Sequence, residues 1–288
     1  MKYFCCIDDT DNIDSVGTGT IAEEIKGLYE GAGWGKGSVI SRHQLYIHPD
    51  IPYTSHNSSM CFEFIGVENI YESMIQCASD YLKKRSAAGS DPGLCILSFK
   101  SNKKYQRLID FSLKAKKEVL TKSEANEIAE SLGVHLSEHG GTGQGIIGAL
   151  AGVGLRMTGN DGEVKGALKD KIGDGVYSVR QLLEFPEVEA VIDFNSDEYL
   201  SLEQNVLLKG RSKSVFHNHQ PVLFVYKNKE GLYEAYTKNH LRRLGEVCPV
   251  FKADVKEEWV FQEVASCYNC RYRRWTEENF TCLKGIKK

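Results

Sequence analysis

The chain lacks any apolar run long enough to cross a bilayer. Its longest, Ile146 to Leu155, has ten residues, against the ~20 that a spanning helix needs. Only five apolar residues, Tyr3 to Ile7, follow Lys2 before Asp8 and Asp9 interrupt them, so no secretory h-region is expected there. A large charge of either sign is missing too: 36 Lys and Arg face 39 Asp and Glu, a formal net of −3. That balance excludes a protein that grips nucleic acid by bulk charge alone. No Gly-Lys-Ser/Thr terminus of a P-loop occurs, and no internal repeat or low-complexity tract stands out. The 288 residues are 41% hydrophobic and 26% charged, which is ordinary globular composition. The expectation is a cytoplasmic protein without a membrane partner, built as two domains or as one with an appendage.

Lys2 to Ile7 reads as a short buried strand that stops at Asp8-Asp9-Thr10-Asp11. A helix is predicted from Ile21 to about Gly31, opened by a capping box of Thr20 and Glu23. Ser38–Ile47, Met60–Ile65 and Leu94–Phe99 read as strands, and apolar residues from Val67 to Tyr81 have helical spacing. A second capping box, Thr121 with Glu124, precedes a helix ending at Gly133; Val134–His139 reads as a strand and Ile146–Leu155 as a small-residue helix. This order predicts an α+β (α/β layered) fold over residues 1–165. Val206–Leu208, Pro221–Lys227 and Leu232–Thr237 are strand-like, which places a smaller β-rich domain at 166–246 and a Cys-rich tail at 247–288.

Asp8, Asp9, Asp11 and Asp14 put four carboxylates within seven residues at a strand end. Crowded like charges raise one another's pKa, and a hard divalent cation such as Mg²⁺ relieves the crowding while recruiting phosphate oxygens. A solvated turn rich in Asx caps is the alternative. Gly17-Thr18-Gly19-Thr20 then opens a helix, where glycine amides and the helix N-terminus favour an anion. Metal ligands beside an anion cradle make phosphoryl or nucleotidyl chemistry a candidate. A second glycine loop carries G-x-G-x-x-G at Gly143, Gly145 and Gly148. It reads either as a phosphate contact or as a tight turn that lets a helix approach a sheet.

Taken together, Ile7-Asp8-Asp9-Thr10-Asp11 and the Gly/Thr helix start resemble the N-terminal kinase-like domain of archaeal tRNA(Ile) agmatinylcytidine synthetase. Ile51-Pro52-Tyr53 with His56-Asn57-Ser58 is similar to that family's I-P loop, and Asp91-Pro92-Gly93-Leu94 to its P-G turn. Gly143 to Ala151 resembles the glycine-rich stretch of its ferredoxin-like domain. The resemblance spans roughly residues 1–165 and implies a kinase-like unit using ATP and Mg²⁺, joined to a ferredoxin-like partner. In that family ATP activates a base carbonyl of an anticodon cytidine and agmatine displaces the activated oxygen. By position, Asp8, Asp9 and Asp11 would hold metal and nucleotide phosphates, and Thr18 or Thr20 would match the family's threonine pair. Here Gly19 splits that pair, and only about 120 residues remain for the family's oligonucleotide-binding domain and zinc ribbon. The expectation is therefore an ATP-dependent phosphoryl-transfer relative, acting on tRNA, other RNA or a related small substrate.

Of nine cysteines, Cys5, Cys6, Cys61, Cys77 and Cys95 lie in apolar runs and read as small buried hydrophobes. Cys267 and Cys270 form C-x2-C, Cys282 follows after eleven residues, and eighteen separate Cys248 from Cys267. That spacing suits Zn²⁺ or an iron–sulfur cluster equally. Arg271 to Trp275 interleave basic and aromatic residues, giving residues 267–288 six Lys/Arg against two Glu. The competing reading is a metal-containing nucleic-acid binder or redox sensor without catalysis. His217 and His219 are further candidate ligands, or ordinary surface histidines.

Overall fold

The computed structural model describes residues 1–51, 57–102 and 104–236, and the backbone of two short strands at 273–275 and 280–282. The chain divides into two compact units, Met1–Lys165 and Gly166–Lys288. The first contains β1 (Lys2–Asp8), α1 (Thr18–Gly31), β2 (Gly35–Gly37), β3 (Ser41–Gln44), β4 (Ser58–Gly66) and α2 (Tyr71–Arg85). It continues with β5 (Gly93–Ser98), α3 (Gln106–Lys114), α4 (Lys122–Leu132), β6 (His135–Glu138), α5 (Gly145–Thr158) and β7 (Glu163–Val164). Its strands form an antiparallel sheet in the order β6-β5-β1-β4-β3-β7, with β2 also on β4.

Strand alternation sorts β1 between two cores. Tyr3, Cys5 and Ile7 pack with Ile21, Ile25 and Met74 from α1 and α2. Phe4 and Cys6 face the other way, onto Leu108, Ala125, Ala149 and Val153 from α3, α4 and α5. Full burial of an Ile or Leu contributes about 1.5–3 kcal/mol, so two such layers dominate the stability of the unit. Cys5, Cys6, Cys61 and Cys95 are fully buried, whereas Cys77 is half-buried.

Three elements depart from the sequence expectations. Of the stretch 38–47 only Ser41–Gln44 is strand, and a separate short strand, β2, precedes it at Gly35–Gly37, with Ser38 breaking the run between them. Its Oγ accepts the Glu63 N–H while its own N–H donates to the Glu63 carbonyl, so a side chain replaces a ladder position. Helix α1 starts at Thr18, with Gly17 as N-cap and no side-chain cap. Thr20 therefore lies inside the first turn and no Thr20–Glu23 box forms; Glu23 pairs instead with Lys165 at 2.5 Å. Helix α3 has no counterpart in the sequence expectations. The Thr121–Glu124 box is present at α4, which Gly133 ends in the left-handed conformation.

The second unit contains α6 (Lys169–Ile172), β8 (Gly175–Ser178), α7 (Val179–Leu182), β9 (Ala190–Asp193), β10 (Asn205–Leu208) and β11 (Val215–His217). After these come β12 (Gln220–Lys227), β13 (Tyr233–Ala235), β14 (Arg273–Trp275) and β15 (Phe280–Cys282), the last two a separate antiparallel pair. Its main sheet runs β11-β12-β13-β10-β8, with β9 parallel to β12. The whole is a mixed α+β chain. Among the described residues no helix is long and apolar enough to cross a membrane.

Helix α5 comes up against the sheet of the first unit at Gly93 on β5. A Cβ there would lie 2.2 Å from the backbone carbonyl carbon of Gly145. Gly27, exposed in α1, has nothing within 4 Å of the same position. Gly93→Ala is expected to cost about 2–3 kcal/mol through forced separation of α5 from the sheet. Gly27→Ala is expected to gain about 0.5–1 kcal/mol from helix propensity. Urea unfolding of the two variants checks both signs.

Candidate active site

Strand β1 ends one residue beyond its last apolar side chain, and that residue is Asp8. Alternation directs Asp8 to the same face as Cys6, beneath α5. There the helix has glycines one turn apart: a Cβ on Gly152 would fall 2.4 Å from Cys6 Sγ, and one on Gly148 1.6 Å from Asp8 Oδ2. The Asp8 carboxylate thus occupies the place where any other residue at 148 would put a side chain. Asp8 is 7% exposed, and its Oδ1 accepts the Asp9 N–H at 2.9 Å. Asp9 turns the chain with φ of 49°, a left-handed conformation that Asp tolerates better than most residues.

These carboxylates sit in a cavity of about 340 Å³ within the first unit, a size typical of small-molecule sites (~300–1,000 Å³). Asp8, Asp9, Asp11, Gly17, Thr18, Gly19 and Thr20 all line it, as do Gly145 and Gly148. Leu45, Met60, Val119, Leu120 and Ile147 add apolar wall, and Arg42, Lys165 and Glu118 contribute charge. Burial, then the neighbouring Asp9 and Asp11, push the Asp8 carboxyl up to about 8. Burial, then Asp91 and Asp11, push Asp9 up to about 6. Among the described residues no Lys, Arg or His forms an ion pair with either. Arg42 pairs with Glu163 at 2.9 Å, and Lys165 with Glu23.

Two helices present their N-termini to the same space. Neither α1, behind Gly17, nor α5, behind Gln144, has a side-chain cap or an acidic residue in its first turn. Thr18 does not cap α1. Its hydroxyl donates to Asp11 Oδ1 at 2.9 Å and accepts from Thr10 Oγ1 at 3.1 Å. The site therefore gathers hard anionic oxygens, a pair of helix ends favourable to anions, and two threonine hydroxyls.

Of the second glycine loop, Gly143 does not line the cavity. Its N–H donates to Asp91 Oδ1 at 3.0 Å, and the Thr142 N–H donates to the same oxygen. Gly141 and Gly143 have φ of 57° and 77°, so the loop is a tight turn packed on Asp91, with Gly145 and Gly148 as its cavity-facing part. The sequence marks Asp91 only as part of a D-P-G turn, and nothing in it marks Arg42 or Lys165. Asp14 is exposed in the β1–α1 loop.

The donor set of Asp8 and Asp9 fits a hard cation, since Mg²⁺ commonly takes one or two carboxylates and completes its shell with phosphate and water. Among the described residues no group of three or more His, Cys, Asp or Glu is placed to hold a metal ion. Cys248, Cys267 and Cys270 lie outside the described residues, and for Cys282 only the backbone, in β15, is described. His217 ends β11, and Asn218 and His219, with φ of 49° and 66°, make the two-residue turn into β12. Two positive φ values are what a tight hairpin turn of this length requires.

No protein-family model matches the chain. No curated protein matches it either. Solved structures similar to parts of it include a tRNA fluorescent labeling enzyme, at 25% identity and a TM-score of 0.46 over 54% of this chain and 36% of that one. A complex of TiaS with an isoleucine tRNA and ATP has 24% identity and a TM-score of 0.47, over 54% and 36% of the two chains. Apo TiaS, a tRNA agmatidine synthetase, has 20% identity and a TM-score of 0.46, over 69% and 48%. The chain spans between a third and a half of the length of these proteins.

A carboxyl raised from ~3.9 in the unfolded chain to about 8 in the fold favours the folded state fully below pH ~4. That contribution drains away as pH rises through 8. Asp8→Asn, which keeps the acceptor for the Asp9 N–H, is expected to stabilise the protein at pH 8 in EDTA by at least about 1.4 kcal/mol, the worth of one pKa unit. The gain should vanish near pH 4. Denaturant unfolding across that range tests it, and equal stability of the two proteins at pH 8 would remove the buried charge from the account.

Proposed function

We propose that the protein is an ATP- and Mg²⁺-dependent phosphoryl-transfer enzyme. The observation that carries this reading is the convergence on one cavity of the Asp8 and Asp9 carboxylates with the uncapped N-termini of α1 and α5. Anionic phosphates suit the helix ends and repel the carboxylates, unless a cation lies between them. Asp8 and Asp9 would hold that cation, with Asp11 beside them. Bound there, a divalent ion supplies neutralisation of charge on the phosphate oxygens.

The chain's own groups would do the rest by position. Backbone amides at Gly17–Thr20 and Gly145–Gly148 hold phosphate oxygens, and the apolar wall around Leu120 and Ile147 takes the nucleoside. Asp11, already accepting the Thr18 hydroxyl, is placed to hold that proton. Such sites act by alignment and by electrostatic stabilisation of the transferring group. The acceptor, a tRNA, another RNA or a related small substrate, rests on the motif resemblance over residues 1–165, as does the division of that region into kinase-like and ferredoxin-like parts.

Calorimetric titration with a non-hydrolysable ATP analogue tests the reading. Wild type is expected to bind it, and added Mg²⁺ to tighten binding at least about tenfold, as charge-assisted contacts would. Asp9→Asn should lose most of that tightening while retaining metal-free binding. A wild-type protein that binds no nucleotide at any Mg²⁺ concentration would end the proposal.

A further inference from the structure

Asp91 does not line the cavity, yet it is bonded to the turn that leads into one half of the site and lies two residues from the strand position that pairs with the other. It is buried in the turn before β5. Its Oδ1 accepts the N–H groups of Thr142 and Gly143, and its Oδ2 accepts the Thr142 hydroxyl at 2.6 Å. Those residues form the turn that leads into α5. On its other side the turn runs directly into β5, whose Gly93, two residues beyond Asp91, pairs with Asp8 at the end of β1. Packing reinforces the link. A Cβ on Gly141 would stand 1.8 Å from Asp91 Oδ1, and one on Gly145 1.9 Å from the Asp91 carbonyl oxygen. The carboxylate is thus held in a nest of backbone amides that a loop of ordinary residues would not form.

We infer that Asp91 is the positioning residue of the site: through three side-chain bonds, made from a turn two residues before the Gly93–Asp8 pair of β5 and β1, it fixes the span between the acidic end of β1 and the α5 N-terminus. The inference rests on the nucleotide-binding reading, because that span matters when one ligand must meet a carboxylate-held cation and helix amides together. Misplacing either end by a fraction of an ångström costs the joint contact and leaves each separate contact possible.

The test uses the full chain and two variants. Asp91→Ala removes all three side-chain bonds. Asp91→Asn keeps Oδ1 as acceptor for both amides and lets its Nδ2 donate to Thr142 Oγ1. Two quantities are read: the ratio of analogue affinities with and without Mg²⁺, and amide hydrogen exchange over residues 139–148. In Asp91→Ala the Mg²⁺ ratio is expected to fall about tenfold, with metal-free affinity within about threefold of wild type, and exchange over 139–148 to rise by about tenfold or more. Asp91→Asn is expected to recover both to within about threefold. A merely structural role would lower affinity with and without Mg²⁺ alike.

Three results overturn the inference: unchanged exchange over 139–148 in Asp91→Ala, an unchanged Mg²⁺ ratio despite raised exchange, or failure of Asp91→Asn to recover either quantity. Should Asp91→Ala not fold, Thr142→Val removes one of the three bonds and is expected to shift both readouts in the same direction, by about threefold. The exchange readout needs no nucleotide. A wild type that binds none, with the expected exchange pattern intact, therefore refutes the function and the role in spanning a ligand, while the loop clamp itself stands as measured.

Discussion

Two adjacent carboxylates at the end of β1, Asp8 buried and Asp9 half-buried, are the constraint around which the first unit is built. Asp8 cannot turn away, because it continues the register of β1 opposite Gly93 and alternation sends it under α5. The helix makes room by having glycine at 148. Gly93 in turn has no side chain because the start of α5 lies against it. Asp8, Gly93, Gly145 and Gly148 are one steric unit, and substituting any of the glycines moves the helix off the acidic strand end.

The electrostatic balance of that arrangement is incomplete without a ligand. Each helix N-terminus is equivalent to roughly half a positive charge, so α1 and α5 together offer about one unit against two carboxylates when both are ionised. Asp8 meets part of the deficit by holding its proton, since burial first and then Asp9 and Asp11 push its carboxyl up to about 8. A divalent cation would overcompensate by about one unit, and an anionic oxygen is then the natural third component. Asp161, in the same unit, shows the opposite solution. There Lys116 and His43, the latter at 2.9 Å, surround a half-buried carboxylate and hold it well below the usual range. A carboxylate of that kind, matched by a lysine and an imidazole hydrogen bond, locks the fold, whereas one without such partners is poised to receive something.

Much of this was legible in the chain, for reasons that can be located. The continuous apolar run Tyr3–Ile7, cut off at Asp8 and Asp9, marks β1 and puts the acidic residues at its end. Thr121, Glu124 and Gly133 marked both ends of α4 because capping is local chemistry. At α1, Thr20 and Glu23 satisfy the same local pattern without forming a box, because Lys165, 142 residues away from Glu23, takes the glutamate. Helix α3 is short and has no side-chain cap to mark its start, although Leu108, Phe111 and Ser112 bury one face of it. Its place is set by Gly154 of α5, where a Cβ would meet Ser112 Oγ at 2.1 Å. Asp91 carries no local mark of a site residue, because its partners Thr142 and Gly143 are more than fifty positions away. Local signals name the groups, and long-range contacts decide which of them meet.

The composition of the cavity also bears on what it would accept. Inorganic phosphate with a cation would satisfy the acidic strand end and the helix amides, but would leave Leu45, Met60, Leu120 and Ile147 facing water. Covering apolar surface is worth about 25 cal/mol per Å², so a ligand that joins a polyphosphate to a flat, weakly polar group gains at both ends of the same space. A nucleoside triphosphate has that division of character. An isolated polyphosphate does not, and neither does a free nucleoside, which would leave the carboxylates and helix ends without a counterpart. The two-sided lining, more than the acidic cluster itself, is what favours a nucleotide over a simple anion.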